Sequence, residues 1–509
     1  MAVKAPPVGR RVAWVYGFGS VAYGVKDNGF SYLLMLFYSQ VLGLSPGLAG
    51  LALFLALIFD AVSDPLVGFW SDGTRSRWGR RHPFMYFSAL PVAVCYYFLW
   101  NPPIDITNQT HLFFWLVGAT IGVRFLITLY EIPSTSLVAE LTADYDERTK
   151  LLGYRYMFGW YGGLTMHFLA FAVFLADSPE FPAGVLNPDG YSSYGLVAAI
   201  LIFLSIVISS AGLHHRIPYL HQVAVRKPRP PKQVARDLRD TLSNHNFLAL
   251  FFAAVVSAVA TGVSTNFNLY INTYFWEFTS SDIQWITASL FVSAVLAMVL
   301  APVMTARWDK KKSAMIVYAV AMVWFATPVS LRLLGFWPGN DSALLLPLMV
   351  FHQSSEVTML VIFGIVQSSM LADIVEENER RYGRREEGLF FAARTFALKA
   401  TSGIGTLLAG LILEIIQFPR GVAPGEVPAE AIFKLGLIYG PVLALLFLTA
   451  LIGISFYRIT RRDHDNNVNS IARRDTASAL DVKDALAHVD TIPGVSGTHP
   501  PEVPDLGRP

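Results

Sequence analysis

A chain of 509 residues that is 53% hydrophobic and only 15% charged falls well short of the roughly 25% charge of soluble globular domains, which excludes a water-soluble fold for most of its length. Its net charge of +2 gives no footing for nucleic acid as a partner, and its single cysteine, Cys95, excludes an internal disulfide or a cysteine metal cluster. What remains is a chain whose units are set by a lipid bilayer.

The opening stretch, MAVKAPPVGRRVAWVYGFGS, has no small-residue cleavage site, so no removable signal peptide is expected. Twelve apolar stretches follow, each long enough to cross about 30 Å of hydrocarbon at ~1.5 Å per residue. They run over 13–41, 46–71, 83–101, 111–138, 151–176, 191–213, 247–275, 283–306, 313–334, 343–372, 388–416 and 432–457. Basic residues alternate with them, less cleanly in the later exterior loops, which carry Arg332 and Arg420. Lys4, Arg10 and Arg11 precede the first span, RSRWGRRH follows the second, and Arg148 and Lys150 follow the fourth, whereas GLSPG, NPPIDITNQT and DSPEFPAGVLNPDG carry no Lys or Arg. The positive-inside tendency then puts both termini in the cytoplasm, consistent with an even number of spans in a cell (inner) membrane.

The longest basic interior loop divides the spans six and six. The expected organisation is an N-terminal half over 1–213, a cytoplasmic linker over 214–245 containing RKPRPPKQ, a C-terminal half over 246–460, and a disordered polar tail over 461–509. The halves echo one another. LVAELTADYDERTK after span four matches MLADIVEENERR after span ten, and GFWSDGTRSRWGRR has a fainter counterpart in ARWDKKK. A parallel repeat of two six-helix halves is one way large transporters are built.

Two acids stand out. Asp60 and Asp64 lie near the middle of span two at i and i+4, on one helical face with their Cβ atoms about 6 Å apart. An ionised Asp at the bilayer centre costs roughly 2.5–3.5 kcal/mol on the lenient insertion scale, and two like charges in low dielectric need compensation. A bound Na⁺ or a shared proton supplies it, so the pair reads as a coupling-cation site. Pro65 adds a backbone carbonyl without its usual donor, a common way to line a polar cavity.

Gly68, Asp72, Arg77, Gly79, Arg80 and Arg81 form a G-x-x-x-D…R-x-G-R-R arrangement that resembles the loop motif of the major facilitator superfamily. The D-A-x-x-D-P-x-x-G block from Asp60, the following TRSRWGRR, and ADIV with Asp373 resemble more specifically the glycoside–pentoside–hexuronide:cation symporters, the melibiose-permease group. The resemblance implies an all-α fold of twelve membrane helices in two pseudo-symmetric halves, alternating access, and a monomer carrying a small-molecule solute with H⁺ or Na⁺ and no other cofactor. It adds Thr128 to the cation site. It places Lys26, Asp27, Glu131, Arg155, Thr395 and Lys399 beside the solute, and gives the loop motif and Asp373 a cytoplasmic gating role. The family's sodium users often carry an amide where this chain has Ser63, a weaker ligand, which favours H⁺. Thr135 and Gly364 fall where that group's sugar-stacking rings are expected, so a sugar or glycoside with a different fit is the leading solute and a lysolipid or other amphiphile the alternative.

Other residues stay open. Arg124 is either a structural partner or a ligand, Glu356 either lines the cavity or forms a buried pair, and Asn266, Asn268 and Asn272 either line the cavity or join helices. Lys399, at mid-helix, is expected to pair with Asp60, Asp64 or Glu131 when no cation is bound. A membrane-embedded enzyme would want a nucleophile constellation or a metal set, and His167 alone supplies neither. HHRIPYLH lacks the acid or cysteine that would complete a metal site.

Overall fold

Lipid offers a backbone no hydrogen-bond partners, so a spanning chain must close its own bonds as helix or barrel. Here every regular element among the described residues is a helix. This computed structural model describes residues 7–142, 144–220, 243–382, 387–467, 469, 470 and 473; at 145, 381, 382, 387–397 and 400 it describes the helix path without the side chain.

The first segment, α1, covers residues 10–41 in pieces. Arg10–Phe18 and Val21–Asn28 meet at Gly19 and Ser20, and two π-helical turns, Gly29–Leu33 and Phe37–Val41, flank Leu34–Leu36. The N-terminal half continues through α2 (Pro46–Gly73), α3 (His82–Trp100), α4 (Gln109–Leu141), α5 (Tyr145–Leu169) and α6 (Pro188–Leu213). The C-terminal half holds α7 (His245–Tyr270), α8 (Ser280–Trp308), α9 (Lys310–Leu333), α10 (Leu345–Tyr382), α11 (Glu387–Ile415) and α12 (Ala429–Ser455). Every predicted span therefore has a helical counterpart. Ten helices among the described residues are long and apolar enough to cross a membrane. The predicted first and eleventh spans are not among them: α1 is broken into short pieces, and the apolar stretch described in α11 is Thr401–Ile415.

Local sequence explains several helix starts. The side chains of Asn108, Asp144 and Asn244 accept from backbone N–H groups of α4, α5 and α7, and Thr279 with Asp282 closes a reciprocal capping box on α8. The same device corrects the expectation of a tail disordered from 461. Thr460 and Asp463 exchange backbone and side-chain hydrogen bonds of 2.7–3.3 Å, and 461–467 is helical. Those bonds hold the Asp463 carboxyl below its ordinary range, the Thr460 hydroxyl contributing most. The linker begins as a 3₁₀ segment, His214–Tyr219; its proline-rich RKPRPPKQ and the tail beyond 473 lie outside the described residues.

The halves meet chiefly where α11 packs against α2, and α7 backs α11 from within its own half. Close approach requires glycine there. A Cβ on Gly405 would lie 2.3 Å from the Val259 carbonyl of α7, and one on Gly410 2.3 Å from the Pro46 carbonyl of α2. Near the loops poor in basic residues the halves are also joined by hydrogen bonds. Tyr274 donates to Gln40 Oε1 at 3.2 Å, Arg420 to the Gly43 carbonyl at 3.1 Å, Gly47 N to Glu414 Oε2 at 3.1 Å, and Ser280 N to Asp177 Oδ2 at 3.0 Å.

Candidate functional site

The Asp60–Asp64 face of α2 turns toward α4 and α11. Asp60 is buried, and its Oδ2 sits 3.1 Å from Arg124 Nη1 and 3.3 Å from Lys399 Nζ. Lys399 also contacts Asp64 directly. Thr128, one turn along α4 from Arg124, places its hydroxyl 3.2 Å from Asp60 Oδ1 and 3.0 Å from Asp64 Oδ1. Two carboxylates thus face one guanidinium and one ammonium, a formally neutral cluster. Such balance is what a low-dielectric interior demands of buried charge. The Ser63 hydroxyl donates to the Asp60 carbonyl at 3.2 Å, an ordinary back-bond within the helix. Pro65 cannot donate to the Ala61 carbonyl.

A cavity of about 240 Å³ opens beside this cluster between the halves. Lys26, Asp27 and Glu131 line it from the N-terminal half, together with Asp60 and Arg124, while Asn266, Lys399 and Ser402 line it from the other. Lys26 and Asp27 form an ion pair with each other. Asn266 donates to Thr406 Oγ1 at 3.1 Å, so it both lines the cavity and joins α7 to α11. Asn268 and Asn272 lie in a neighbouring cavity with Glu356.

Arg155 lies beside the wall of the 240 Å³ cavity, donating to the carbonyl of the cavity residue Glu131 at 3.4 Å. It is not itself among the described residues lining that cavity. Its guanidinium also donates to Ser134 Oγ at 3.0 Å and Thr135 Oγ1 at 2.7 Å, and lies over the rings of Tyr23 and Tyr16 at 5.0 and 5.8 Å. A planar, delocalised cation suits that aromatic slot between α1 and α4. Thr395 lies on α11 four residues before Lys399, with its side chain outside the description.

At the end of the bundle with basic loops, the loop motif closes on itself. Arg81 pairs with Asp72 at 2.5 Å and Glu140 at 2.9 Å and donates to Ser71 Oγ at 2.7 Å, while Arg80 reaches Glu140 at 3.0 Å. Arg77 lies 5.5 Å over the Trp78 ring, and Gly79 turns the chain with φ +75°. Gly68 sits one turn before Asp72 on α2. The C-terminal half repeats the pattern. Arg307 lies 5.5 Å over Trp308, Asp309 takes φ +70°, and Lys310 pairs with Asp373 at 2.6 Å as Arg80 pairs with Glu140. His464 adds a third partner, 3.2 Å from Asp373 and 2.8 Å from Glu376.

The reading of site residues missed Glu140, Lys310 and His464, and left Arg124 undecided. The repeat carried the signal for the first two: VAE and LAD end equivalent spans at Glu140 and Asp373, and RWGRR and RWDKK set Lys310 where Arg80 stands. For Arg124 the signal was its spacing, four residues before Thr128. Nothing in the sequence ties His464 to Asp373.

The family described as MFS/sugar transport protein matches residues 15–461. Uncharacterized symporter sll1374 of Synechocystis is 26% identical over 88% of this chain and 94% of its own length. Putative glycoside/cation symporter YagG of Escherichia coli is 25% identical over 90% of this chain and 93% of its own. The crystal structure of a D-xylose-proton symporter superposes with a TM-score of 0.58 at 15% identity, over 86% of this chain and 96% of that one, a likeness of fold. The resemblance carried by the Asp60 block and the loop motif is borne out. With a match over most of its length and a bundle of membrane-length helices, the chain belongs to the MFS/sugar transport protein family and is a multi-pass membrane protein.

Proposed function

We propose that the protein is a cation-coupled symporter that moves a sugar, glycoside or related polar organic solute by alternating access. The observation that carries the reading is the bridge from Lys399, in one half, to Asp60 and Asp64, in the other. A cation arriving at the acids competes with the ammonium for the same carboxylate oxygens. Its binding releases Lys399 toward the cavity and loosens one tie between the halves. Cation occupancy and solute binding then share a free energy, which is what coupling requires. Thr128 and Ser63 complete the cation site in this reading, and Lys26, Asp27, Glu131, Thr395 and Lys399 serve the solute. Arg155 serves the solute from beside the wall, where it donates to the carbonyl of the cavity residue Glu131 at 3.4 Å.

The coupling ion in this reading is H⁺. Asp60 is already engaged by two cationic side chains and one hydroxyl, and Ser63 offers a hydroxyl where the family's sodium users often carry an amide, the better Na⁺ ligand. A polar solute is favoured over a lysolipid because Phe30, Leu53 and Leu57 are the only large apolar side chains among the described cavity residues. The family also supports transport rather than a membrane-embedded enzyme. We place the protein in the plasma membrane as a monomer, with both ends and the loop motif on the cytoplasmic side. The test is counterflow of labelled glycosides in vesicles under imposed ΔpH or Na⁺ gradients. Concentrative uptake driven by ΔpH supports the reading, and uptake that requires Na⁺ and ignores ΔpH overturns the choice of ion. Failure of every glycoside to exchange overturns the solute class.

A further inference from the structure

A second, smaller cavity of about 50 Å³ lies between the halves, and Thr265 lines both it and the 240 Å³ cavity. Its C-terminal wall holds an unusual closed ring of three amides. Asn272 Nδ2 donates to Asn268 Oδ1 at 3.1 Å, Asn268 Nδ2 to Gln353 Oε1 at 3.1 Å, and Gln353 Nε2 to Asn272 Oδ1 at 2.9 Å. An amide has two N–H groups and two acceptor lone pairs. Each member of the ring spends one of each on its neighbours, which leaves one donor and one acceptor apiece.

Two further groups face the same space. Glu356 is buried and is hydrogen-bonded by the Ser264 hydroxyl, which lines the same cavity, while His352 Nδ1 stands 3.9 Å away, beyond hydrogen-bond reach. From the N-terminal half comes His167, its ring tilted against Tyr32 at 4.9 Å, with its Nδ1 buried and unpartnered. The unspent capacity of the amide ring and the unpartnered imidazole nitrogen are costly at a buried wall unless something satisfies them. No lysine or arginine lines the cavity among the described residues, so it has no fixed charge for an anionic group.

Size then decides what fits. A single water needs roughly 10–15 Å³ measured in this way, so ~50 Å³ accommodates a few waters or a short hydroxyl-bearing arm, but no sugar ring. A hydroxyl both donates and accepts, as the unspent capacity of the amide ring requires. We propose that this cavity is a solute subsite for a neutral, hydroxyl-bearing arm, entered past Thr265 from the larger cavity. The transported solute then exceeds one sugar ring and touches both halves at once. This inference rests on the sugar-transport reading above.

The test uses the purified full-length protein and matched probes: the methyl β-glycosides of glucose, galactose and xylose, and the β-linked disaccharide of each. Affinity is read by thermal stabilisation and by competition in counterflow. In the parent protein a disaccharide is expected to bind about tenfold tighter than its methyl glycoside, the effect of one or two net hydrogen bonds. In Gln353→Ala and, separately, Glu356→Ala, that ratio falls toward one. The unliganded melting temperature identifies a variant that fails to fold, in which case the other variant supplies the ratio. Disaccharides that bind no tighter than methyl glycosides, or a ratio unchanged in the folded variants, overturn the subsite alone. Absence of binding by any of the six sugars overturns the sugar reading and the subsite with it.

Discussion

The ammonium of Lys399 on α11 contacts the carboxylate of Asp64 on α2 and lies 3.3 Å from Asp60 Oδ2, so one side chain of the C-terminal half holds both acids of the N-terminal half. The two acids are not equivalent. Asp60 also pairs with Arg124 at 3.1 Å, and both of those side chains are buried. Asp64 is ion-paired to Lys399, whose side chain keeps 31% of its exposure.

That difference predicts different costs for the same neutral substitution. Asp60→Asn strands Arg124, and removing one partner of a buried pair typically costs about 3–5 kcal/mol. Asp64→Asn leaves Lys399 with Asp60 and some solvent, so its cost is nearer 1 kcal/mol. Both variants lose gradient-driven accumulation, because an amide cannot exchange an ion's charge. Melting curves of the purified variants read the first effect and vesicle uptake the second. Equal melting temperatures would contradict the asymmetry, and concentrative uptake by both variants would remove the acids from the cation site.

Lys399→Ala tests the tie itself. Without the ammonium, cation binding at the acids no longer releases anything toward the cavity. Solute affinity measured with and without saturating cation is therefore expected to converge, whereas in the parent the two differ by the coupling factor, typically 5–150-fold in such linked systems. Persistence of the parent's difference in Lys399→Ala would rule out the exchange mechanism.

Much of this was legible in the sequence because the bilayer makes charge expensive. Asp60, Asp64 and Lys399 stand out in apolar helices, and a cost of several kcal/mol for each unpaired charge predicts that they find one another. The span limits were legible for the same reason. The partners of Arg155 were not legible, because spacing and resemblance locate a residue on a helix without saying which neighbours compete for it. The hydroxyls of Ser134 and Thr135 and the rings of Tyr16 and Tyr23 win that competition. The amide ring was equally hidden. Asn268 and Asn272 announce their spacing, but Gln353 joins them from 81 residues beyond Asn272. The π-helical turns of α1 carry no recognisable signal in GFSYL or FYSQV.

Glu140 is the residue most exposed to mutation among those the sequence reading passed over. It accepts from both Arg80 and Arg81, and Arg81 is buried with it. Glu140→Ala leaves Arg81 with Asp72, which is largely exposed, so a loss of about 2–4 kcal/mol is expected. The equivalent change in the other half, Asp373→Ala, strands Lys310, which retains 27% exposure, and is expected to cost less. Melting temperatures of the two variants give the comparison directly, and a greater loss in Asp373→Ala would contradict it.

The repeat supplies a final prediction, at the turns between α2 and α3 and between α8 and α9. RWGRR and RWDKK align so that Gly79 and Asp309 occupy the same place, and both have positive φ. Asp309, at φ 70° and ψ 159°, lies in a region open essentially to glycine, at a cost of about 1–3 kcal/mol for other residues. Its carboxylate recovers part of that by accepting from Lys310 N at 2.6 Å, capping α9. Asp309→Gly removes the strain together with the cap, and replacing a cap by glycine loses only a few tenths of a kcal/mol. Asp309→Ala loses the cap and keeps the strain, a net cost of about 1 kcal/mol. The expected order of melting temperature is therefore glycine at or above the parent, and alanine below both. Gly79→Ala is expected to fall by a comparable strain cost, since no side-chain cap offsets it. Should Asp309→Gly melt below Asp309→Ala, the carboxylate cap rather than backbone strain governs this turn, and the equivalence of the two turns fails with it.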